Sequence, residues 1–254
     1  MSFNRRGKSQ VDEENPYWMS FSDIMSVLLI IFILASVVLI VQLMEIREQL
    51  EEQQQEFTEE IQMLRQAEEV RRTILHEAAE ELQRRGIRVS VSENDTVLSI
   101  PNDILGFDTA QFDLGPQYQD TATQIGNVLA DVILQDDRVD YLDTVFVEGH
   151  TDNRSYQGMM GKGNWGLSAF RAISLWQHWL EVLPDGRRLD TLINKDGHPI
   201  FSVSGYADTR PVTEFQETEE ELRANRRIDI RFTIRRPTVE DYRAVQDAFV
   251  GDSQ

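Results

Sequence analysis

The stretch FSDIMSVLLIIFILASVVLIVQL, residues 21–43, decides the class of this chain. Its last 20 residues, from Ile24 to Leu43, hold only three polar side chains. At about 1.5 Å rise per residue, such a helix crosses the roughly 30 Å hydrocarbon core of a bilayer. A cleaved signal peptide is the competing interpretation, but the apolar run is too long and no small-residue cleavage site follows it. The sequence therefore predicts a membrane protein with a single N-terminal transmembrane helix at 23–43.

Basic residues before the span set its expected orientation. Arg5, Arg6 and Lys8 precede the apolar run, whereas the segment that follows is dominated by glutamate. Because the cytoplasmic flank of a span is enriched in Lys and Arg, the short tail 1–22 is expected in the cytoplasm. Everything beyond Leu43 then lies outside the cytoplasm.

The composition of the whole chain narrows the classes of function. Its 254 residues include no cysteine, 25 Lys and Arg and 44 Asp and Glu, which gives a formal net charge of −19. An acidic surface repels a phosphate backbone, so direct binding of nucleic acid is not expected. The length fits one membrane segment followed by one domain of medium size.

Residues 44–85 follow the span and contain neither Gly nor Pro. They are rich in Glu, Gln, Arg and Leu, which is the composition of a long exposed helix. Apolar residues fit the a and d positions of a heptad repeat with gaps, which predicts a self-associating coiled-coil stalk. These positions are Leu43, Ile46, Leu50, Phe57, Leu64, Ala67, Ile74 and Ala78. A single solvated helix is the alternative, and Gly86 is expected to end the helix in either case.

From Ile87 the apolar period changes from helical to alternating. The segment IRVSVSENDTVLSI (87–100) predicts two strands around a turn at 93–95. Helix and strand patterns then alternate, which predicts an α/β or α+β sandwich over 86–237 with helices on one face of the sheet. The predicted elements are helix 118–134, strand 143–149, helix 164–183, strand 200–206, a short helix near 217–223 and strand 227–234. The acidic tail 238–254 is expected to be a loosely held helix.

Strand 143–149 runs directly into GHTDNR (149–154), and the next helix opens with Asn164 and carries Arg171. Ligands are commonly held where a strand end feeds a loop and a helix start, because backbone amides and side chains converge there. With Asp152, Arg171 would offer opposite charges to a zwitterionic ligand such as an amino-acid head group. In the alternative interpretation, Asp152 caps a turn and Arg171 pairs with it structurally.

Four motifs in this order resemble the OmpA-like peptidoglycan-binding domain, found in OmpA, in the lipoprotein Pal and in the flagellar stator subunit MotB. The motifs are EGHTDNR (148–154), NWGLSAFRA (164–172), GYADTRPV (205–212) and NRRIDIRF (225–232), and LGFDTAQFDLGP (105–116) matches the start of the domain.

The resemblance implies that Asp152 and Arg171 bind the diaminopimelate of the peptidoglycan stem peptide, with Thr151, Asn164 and Arg226 as helpers. A guanidinium suits this role because it contacts a carboxylate through two parallel hydrogen bonds. The loop between Asp152 and Asn164, with SYQGMMGKG in its middle, is several residues longer than is usual in the family.

Asp23 lies at the N-terminal end of the apolar span. A charged side chain inside a bilayer costs roughly 2.5–3.5 kcal/mol on insertion scales, so such a residue is a functional candidate that faces protein or water. In the alternative interpretation, Asp23 caps the first turn of the helix together with its neighbouring serines. Ser22 and Ser26 are candidates to line an ion path, although a serine in a membrane helix more often bonds its own backbone.

The whole chain resembles stator subunits of the MotB type. It shares with them a short tail, a span, here with the pattern YWMSFSDIMSVLLIIF (17–32), a helical stalk and an OmpA-like end. The resemblance implies that Asp23 takes up and releases a permeating H⁺ or Na⁺ at the interface with a MotA-like multi-span subunit. It also implies a place in the bacterial inner membrane, with the C-terminal domain in the periplasm, and no cofactor besides the ion.

The amino-acid sequence of the span is more similar to that of ZorB-type subunits of the Zorya antiphage defence system than to that of flagellar MotB. For that group the resemblance implies a dimer inside a ring of the MotA-like subunit ZorA, anchored to peptidoglycan. A subunit of a flagellar motor and a passive peptidoglycan tether remain as alternatives.

The sequence does not predict an enzyme or a metal site. Hydrolysis of the cell wall would need a nucleophile with a base, a metal site or paired carboxylates. The chain has no cysteine, and its histidines are dispersed without the spacing of metal ligands, at His76, His150, His178 and His198.

Overall fold

The computed structural model describes residues 16–107, 111–158, 161–238 and 241, with side chains from Phe21 onward. The described helices are α1 (Pro16–Arg84), α2 (Asn102–Leu105), α3 (Gln119–Leu134), α4 (Gly163–Val182) and α5 (Glu219–Asn225). The described strands are β1 (Ser90–Val91), β2 (Val97–Pro101), β3 (Leu142–His150), β4 (Phe201–Gly205) and β5 (Arg227–Ile234). The chain divides into two compact units, the first up to Thr58 and the second from Glu59.

The described part of the first unit is the N-terminal portion of α1. Its leucine, isoleucine and valine side chains between Ile24 and Leu43 are each more than half exposed. A continuous apolar surface of this kind is stable when lipid or another helix covers it. Among the described residues, one helix is long and apolar enough to cross a membrane, and it is the one that the sequence predicts.

The second unit is built on a five-stranded sheet with the order β1-β2-β5-β3-β4. Strands β3 and β4 are parallel, and the other neighbouring strands are antiparallel. Alternate residues of the strands face one core, to which α1, α3 and α4 contribute, so the predicted sandwich with helices on one face is confirmed. The fully buried side chains of this core include Ile74, Leu75, Leu82, Leu98, Ile100, Ile125, Leu129, Val147, Leu175, Trp179 and Ile230.

The C-terminal part of α1 belongs to this domain and not to a separate stalk. Ile74, Ala78 and Leu82 have no exposed surface, because they pack in the core of the sheet domain. The prediction of an exposed stalk over the whole of 44–85 is therefore wrong, and the second unit begins at Glu59. The exposed apolar residues that remain from the heptad pattern are Leu43, Ile46, Leu50 and Phe57.

Gly86 ends α1 as the sequence predicts. Its φ of +78° lies in the left-handed region that glycine adopts without strain. The N–H of Ile87 donates to the carbonyl of Leu82, and the N–H of Gly86 donates to the carbonyl of Gln83, each at 2.9 Å. These two bonds form a Schellman motif, which satisfies carbonyl groups at the helix end and turns the chain toward β1.

The other predicted elements of the domain are confirmed, and their ends differ from the predicted ones by no more than two residues except in β1, where only Ser90–Val91 of the predicted strand before the turn at 93–95 is extended. The sequence did not predict α2 or the short 3₁₀ turns around 116–118, 135–141, 185–187 and 189–191. The basic residues before the span lie outside the described residues, as does the predicted tail helix apart from Thr238 and Asp241.

Candidate functional site

Two glycines bring α4 into direct contact with the carboxyl ends of β3 and β4. A Cβ atom on Gly149 would lie 1.9 Å from the backbone oxygen of Ser168, and one on Gly205 would lie 2.4 Å from the backbone nitrogen of Ala169. No side chain fits at such distances, so glycine is required in both strands. The buried hydroxyl of Ser168 accepts the N–H of Ala207 at 3.0 Å. Helix α4 is thereby fixed beside the loop that leaves β3.

A cavity of about 250 Å³ lies where the loop after β3, helix α4 and the end of α5 meet. It is lined by Thr151, Asp152, Arg154, Ser155, Tyr156, Asn164, Leu167, Arg171 and Arg226. All five residues that the family resemblance assigns to peptidoglycan binding are among them. The structure thus brings together residues that lie up to 75 positions apart in the sequence, from 151 to 226.

Asp152 is nearly buried and accepts hydrogen bonds from two arginines. Its Oδ2 lies 2.6 Å from Nη1 of Arg226, 2.7 Å from Nη2 of Arg154 and 3.1 Å from Nε of Arg154. Its Oδ1 accepts the backbone N–H of Arg154 at 3.1 Å. Burial acts to raise the pKa of Asp152, but the hydrogen bonds from Arg154 and Arg226 outweigh it and hold the pKa below its ordinary value. Asp152 is therefore a carboxylate at neutral pH.

Glu219 closes a ring of ion pairs around this carboxylate. Its Oε1 lies 2.7 Å from Nη2 of Arg226, and its Oε2 lies 3.4 Å from Nη1 of Arg154. It occupies the first turn of α5, which begins with a capping box at Thr218. The result is a closed ring of alternating charge formed by Asp152, Arg154, Glu219 and Arg226.

The sequence analysis did not identify Arg154 or Glu219 as members of the site. Arg154 carried a local signal, since it lies two residues after Asp152 in the TDNR segment. Glu219 carried none, because it lies 65 positions after Arg154 and meets it only through the fold.

Arg171 projects into the cavity from α4 and is 2% exposed. Its Nε donates to the backbone oxygen of Gln111 at 2.9 Å, and its guanidinium carbon lies 5.5 Å from the ring centre of Phe107. Burial of the guanidinium, followed by the nearby charge of Arg226, lowers the pKa of Arg171 to about 10. The group stays protonated at neutral pH. A desolvated cation next to a second arginine favours an anionic ligand.

Thr151 and Asn164 present buried acceptor oxygens at the same cavity. The Nδ2 of Asn164 donates to the backbone oxygen of Arg154 at 3.1 Å, which holds the loop after β3 against the start of α4. The Oγ1 of Thr151 and the Oδ1 of Asn164 are buried and have no hydrogen-bond partner among the described residues. Because buried polar atoms are normally paired, these two oxygens are available to a ligand.

A second buried polar cluster lies on the sheet face opposite the helices. Ligand atoms of Glu148, His150 and Asp229 lie within 4.8 Å of one another, a spacing that a metal ion can bridge. However, Nε of Arg231 lies 3.0 Å from both oxygens of Glu148, and Nε of Arg227 lies 3.0 Å from both oxygens of Asp229. Because arginines already engage both carboxylates, the cluster is an ion-pair layer. The sequence analysis missed it, although Glu148 and His150 alternate on one face of a strand.

The three candidates for ion translocation lie in the first unit, on the exposed part of α1. The Oγ of Ser26 donates to the backbone oxygen of Ser22 at 2.8 Å, four residues earlier in the helix. Ser26 thus bonds its own backbone, as serines in membrane helices commonly do. Asp23 and Ser22 are exposed and lie about 100° apart around the helix axis.

No family model matches the chain. The uncharacterised protein YtxE of Bacillus subtilis (strain 168) is 38% identical over 86 residues, which are 33% of this chain and 30% of YtxE. The chain therefore matches less than a third of the length of that curated relative.

Two solved structures of bacterial proteins illustrate which known folds are similar to this chain. The cell wall anchor of the T6SS from Pseudomonas aeruginosa aligns with 62% of this chain and 97% of its own, at 25% identity and a TM-score of 0.44. A MotB-like protein from Desulfovibrio vulgaris aligns with 67% of this chain and 98% of its own, at 20% identity and a TM-score of 0.48.

Proposed function

We propose that this chain is the cell-wall-anchored subunit of an ion-driven motor in the bacterial inner membrane. In this proposal the cavity of the second unit binds the diaminopimelate end of a peptidoglycan stem peptide. The observation that carries the proposal is the convergence in one cavity of Thr151, Asp152, Asn164, Arg171 and Arg226. These residues come from the loop after β3, from α4 and from the residue after α5, so their meeting is a property of the fold.

The chemistry of the cavity fits the free end of an amino acid. Such an end carries one carboxylate and one ammonium group. Arg171 supplies a buried guanidinium for the carboxylate, and a charge-assisted hydrogen bond is roughly twice as strong as a neutral one. The acceptor oxygens of Thr151 and Asn164, together with the carboxylate of Asp152, suit the ammonium group.

The first unit supplies the membrane part of the proposal. The N-terminal tail lies in the cytoplasm, α1 crosses the bilayer, and the sheet domain lies in the periplasm. Asp23 takes up and releases H⁺ or Na⁺ at the interface with a MotA-like partner of several membrane helices. A partner is needed because a single helix encloses no water-filled path, and the exposed position of Asp23 on α1 supports such an interface.

Self-association is a further part of the proposal. The exposed heptad residues of α1 form a stripe that a second copy of the same helix would cover. This stripe consists of Leu43, Ile46, Leu50 and Phe57. The proposed organisation is a tail 1–22, a span 23–43, a short paired helix 44–58 and a peptidoglycan-binding domain from Glu59, with a tail 238–254.

The finer assignment is to Zorya antiphage defence, as a ZorB-type subunit with a ZorA-type partner. It is supported by the amino-acid sequence of residues 17–32, which is more similar to the sequences of that group than to those of flagellar subunits. A passive peptidoglycan tether is the second candidate function, because the cavity alone would suffice for it. Asp23 distinguishes the two functions.

The test compares Asp23→Asn with Asp152→Ala in cells that carry the partner gene. A motor loses phage protection, or motility in the flagellar case, in both variants, while the amount of protein in the membrane stays unchanged. A tether loses its function in Asp152→Ala alone. Full activity of Asp23→Asn at an unchanged membrane level would contradict the motor.

A further inference from the structure

Arg154 occupies the position on Asp152 that the ammonium group of a ligand would need. Oδ2 of Asp152 already receives three N–H donors, two of them from Arg154, and Oδ1 receives the backbone N–H of Arg154. A carboxylate offers about four lone-pair sites, so few remain for a further cation. The two arginines are not equivalent, because the side chain of Arg226 is 10% exposed and that of Arg154 is 46% exposed. Arg154 is the partner that can leave.

Glu219 provides Arg154 with a second anion to bind. Its Oε2 lies 3.4 Å from Nη1 of Arg154, a longer contact than the 2.7 Å between Arg154 and Asp152. A small rotation of the guanidinium would shorten the first contact and lengthen the second. Arg154 would keep a carboxylate partner throughout, so the change would not leave its charge unpaired.

The charge of the cavity depends on which carboxylate Arg154 faces. Three arginines and one aspartate are the charged residues among the described lining. With Arg154 on Asp152, an ammonium group entering the cavity meets excess positive charge at short range, which disfavours it. A carboxylate meets Arg171 in either arrangement.

We propose that Arg154 determines the charge preference of this cavity by competing with the ammonium group of the ligand for Asp152. Held on Asp152, it leaves a cavity that accepts a carboxylate alone. Moved toward Glu219, it admits an end group with both a carboxylate and an ammonium. The inference rests on the proposed cell-wall function and specifies the chemical group that the site discriminates.

The test uses the full-length protein in detergent and three synthetic tripeptides, L-Ala-γ-D-Glu-X, titrated by calorimetry. X is meso-diaminopimelate, its analogue without the distal amine, or lysine, which lacks the distal carboxylate. Arg154→Gln is expected to bind the diaminopimelate peptide about tenfold more tightly than the original protein. Its affinity for the peptide without the distal amine should stay unchanged, and the lysine peptide should remain the weakest ligand.

Arg188→Gln is the matched control, because Arg188 also pairs with an aspartate two residues away, Asp190, and does not line the cavity. It should leave all three affinities unchanged. Glu219→Gln should lower the affinity for the diaminopimelate peptide about threefold, and the loss should be smaller when Arg154→Gln is also present. A purely structural role of Glu219 would give the same loss in both backgrounds.

If Arg154→Gln weakened the binding of both peptides that carry the distal carboxylate by the same factor, the inference would be overturned, since Arg154 would then bind that carboxylate itself. An unchanged affinity for the diaminopimelate peptide would overturn it as well. If the original protein bound none of the three peptides and was not retained by cell-wall sacculi, the proposed function itself would fail. Thermal unfolding of each variant verifies that it is folded.

Discussion

Nη1 of Arg226 lies 2.6 Å from Oδ2 of Asp152, and both side chains are at least nine-tenths buried. This contact joins the loop after β3 to the end of α5, 74 positions later in the chain. Because the same carboxylate also receives Arg154, the floor of the cavity is held by charge-assisted hydrogen bonds from two directions. These contacts therefore fix the position of the Asp152 carboxylate within the domain.

The close contact between α4 and the sheet predicts a severe effect of a single methyl group. Gly149→Ala would place a Cβ 1.9 Å from the backbone oxygen of Ser168, which cannot rotate away. We expect the free energy of unfolding to fall by about 1–3 kcal/mol and the affinity for the cell wall to fall with it. Urea unfolding followed by tryptophan fluorescence measures the first effect. Gly186→Ala is the control, since its added Cβ would have no atom within 4 Å apart from those of the adjoining backbone.

The lowered pKa of Asp152 predicts the pH dependence of binding. In the folded protein this pKa lies below the ordinary value of 3.8, so the ion pairs of Asp152 are complete above that value. Their contribution is lost as the pH falls through the lower pKa of the folded state. Retention by sacculi should therefore be constant from about pH 8 to about pH 5 and should fall only below about pH 4. A midpoint near neutral pH would contradict this assignment.

The ion-pair layer on the opposite sheet face predicts a large loss of stability on neutralising Asp229. Burial acts to raise the pKa of Asp229, but the imidazole of His150, whose Nε2 lies 3.2 Å from Oδ2, and the charge of Arg227 outweigh it and lower the pKa. Asp229→Asn would leave the buried guanidinium of Arg227 without its anion, and we expect a loss of about 3 kcal/mol in urea unfolding. Asp190→Asn, at an exposed pair, should change stability by less than about 1 kcal/mol.

The exposed heptad stripe predicts where two copies meet. Since the chain has no cysteine, a single introduced thiol reports one position without background. Leu50→Cys should form a disulfide-linked dimer in membranes under mild oxidation, because facing positions of a paired helix come within the reach of a disulfide. Glu48→Cys lies on the other side of the heptad and should remain monomeric. Equal cross-linking at both positions would contradict a defined pairing.

The sequence predicted all five strands of the sheet domain and its longer helices, because each of these elements carries its own apolar period and Gly86 marks the end of α1. It misplaced the start of the domain, since a heptad stripe is the same pattern whether it packs on a second helix or on a sheet. Ile74 and Ala78 fit both arrangements, and only the tertiary structure distinguishes them.

The candidate site shows the same division. Asp152, Asn164 and Arg171 were identified because they stand in recognisable motifs beside a strand end and a helix start. The part played by Glu219 depends on contacts across the fold, which no local pattern records. Long-range ion pairs of this kind are visible only once the chain is folded.

The most direct test of the central claim measures how much full-length protein is retained by purified sacculi that contain diaminopimelate. The cavity predicts strong retention of the original protein and of Arg188→Ala, whose arginine lies outside the cavity. It predicts loss of most retention for Arg171→Ala, by about tenfold or more, because the ligand carboxylate loses its buried guanidinium. Undiminished retention of a folded Arg171→Ala protein would contradict the account.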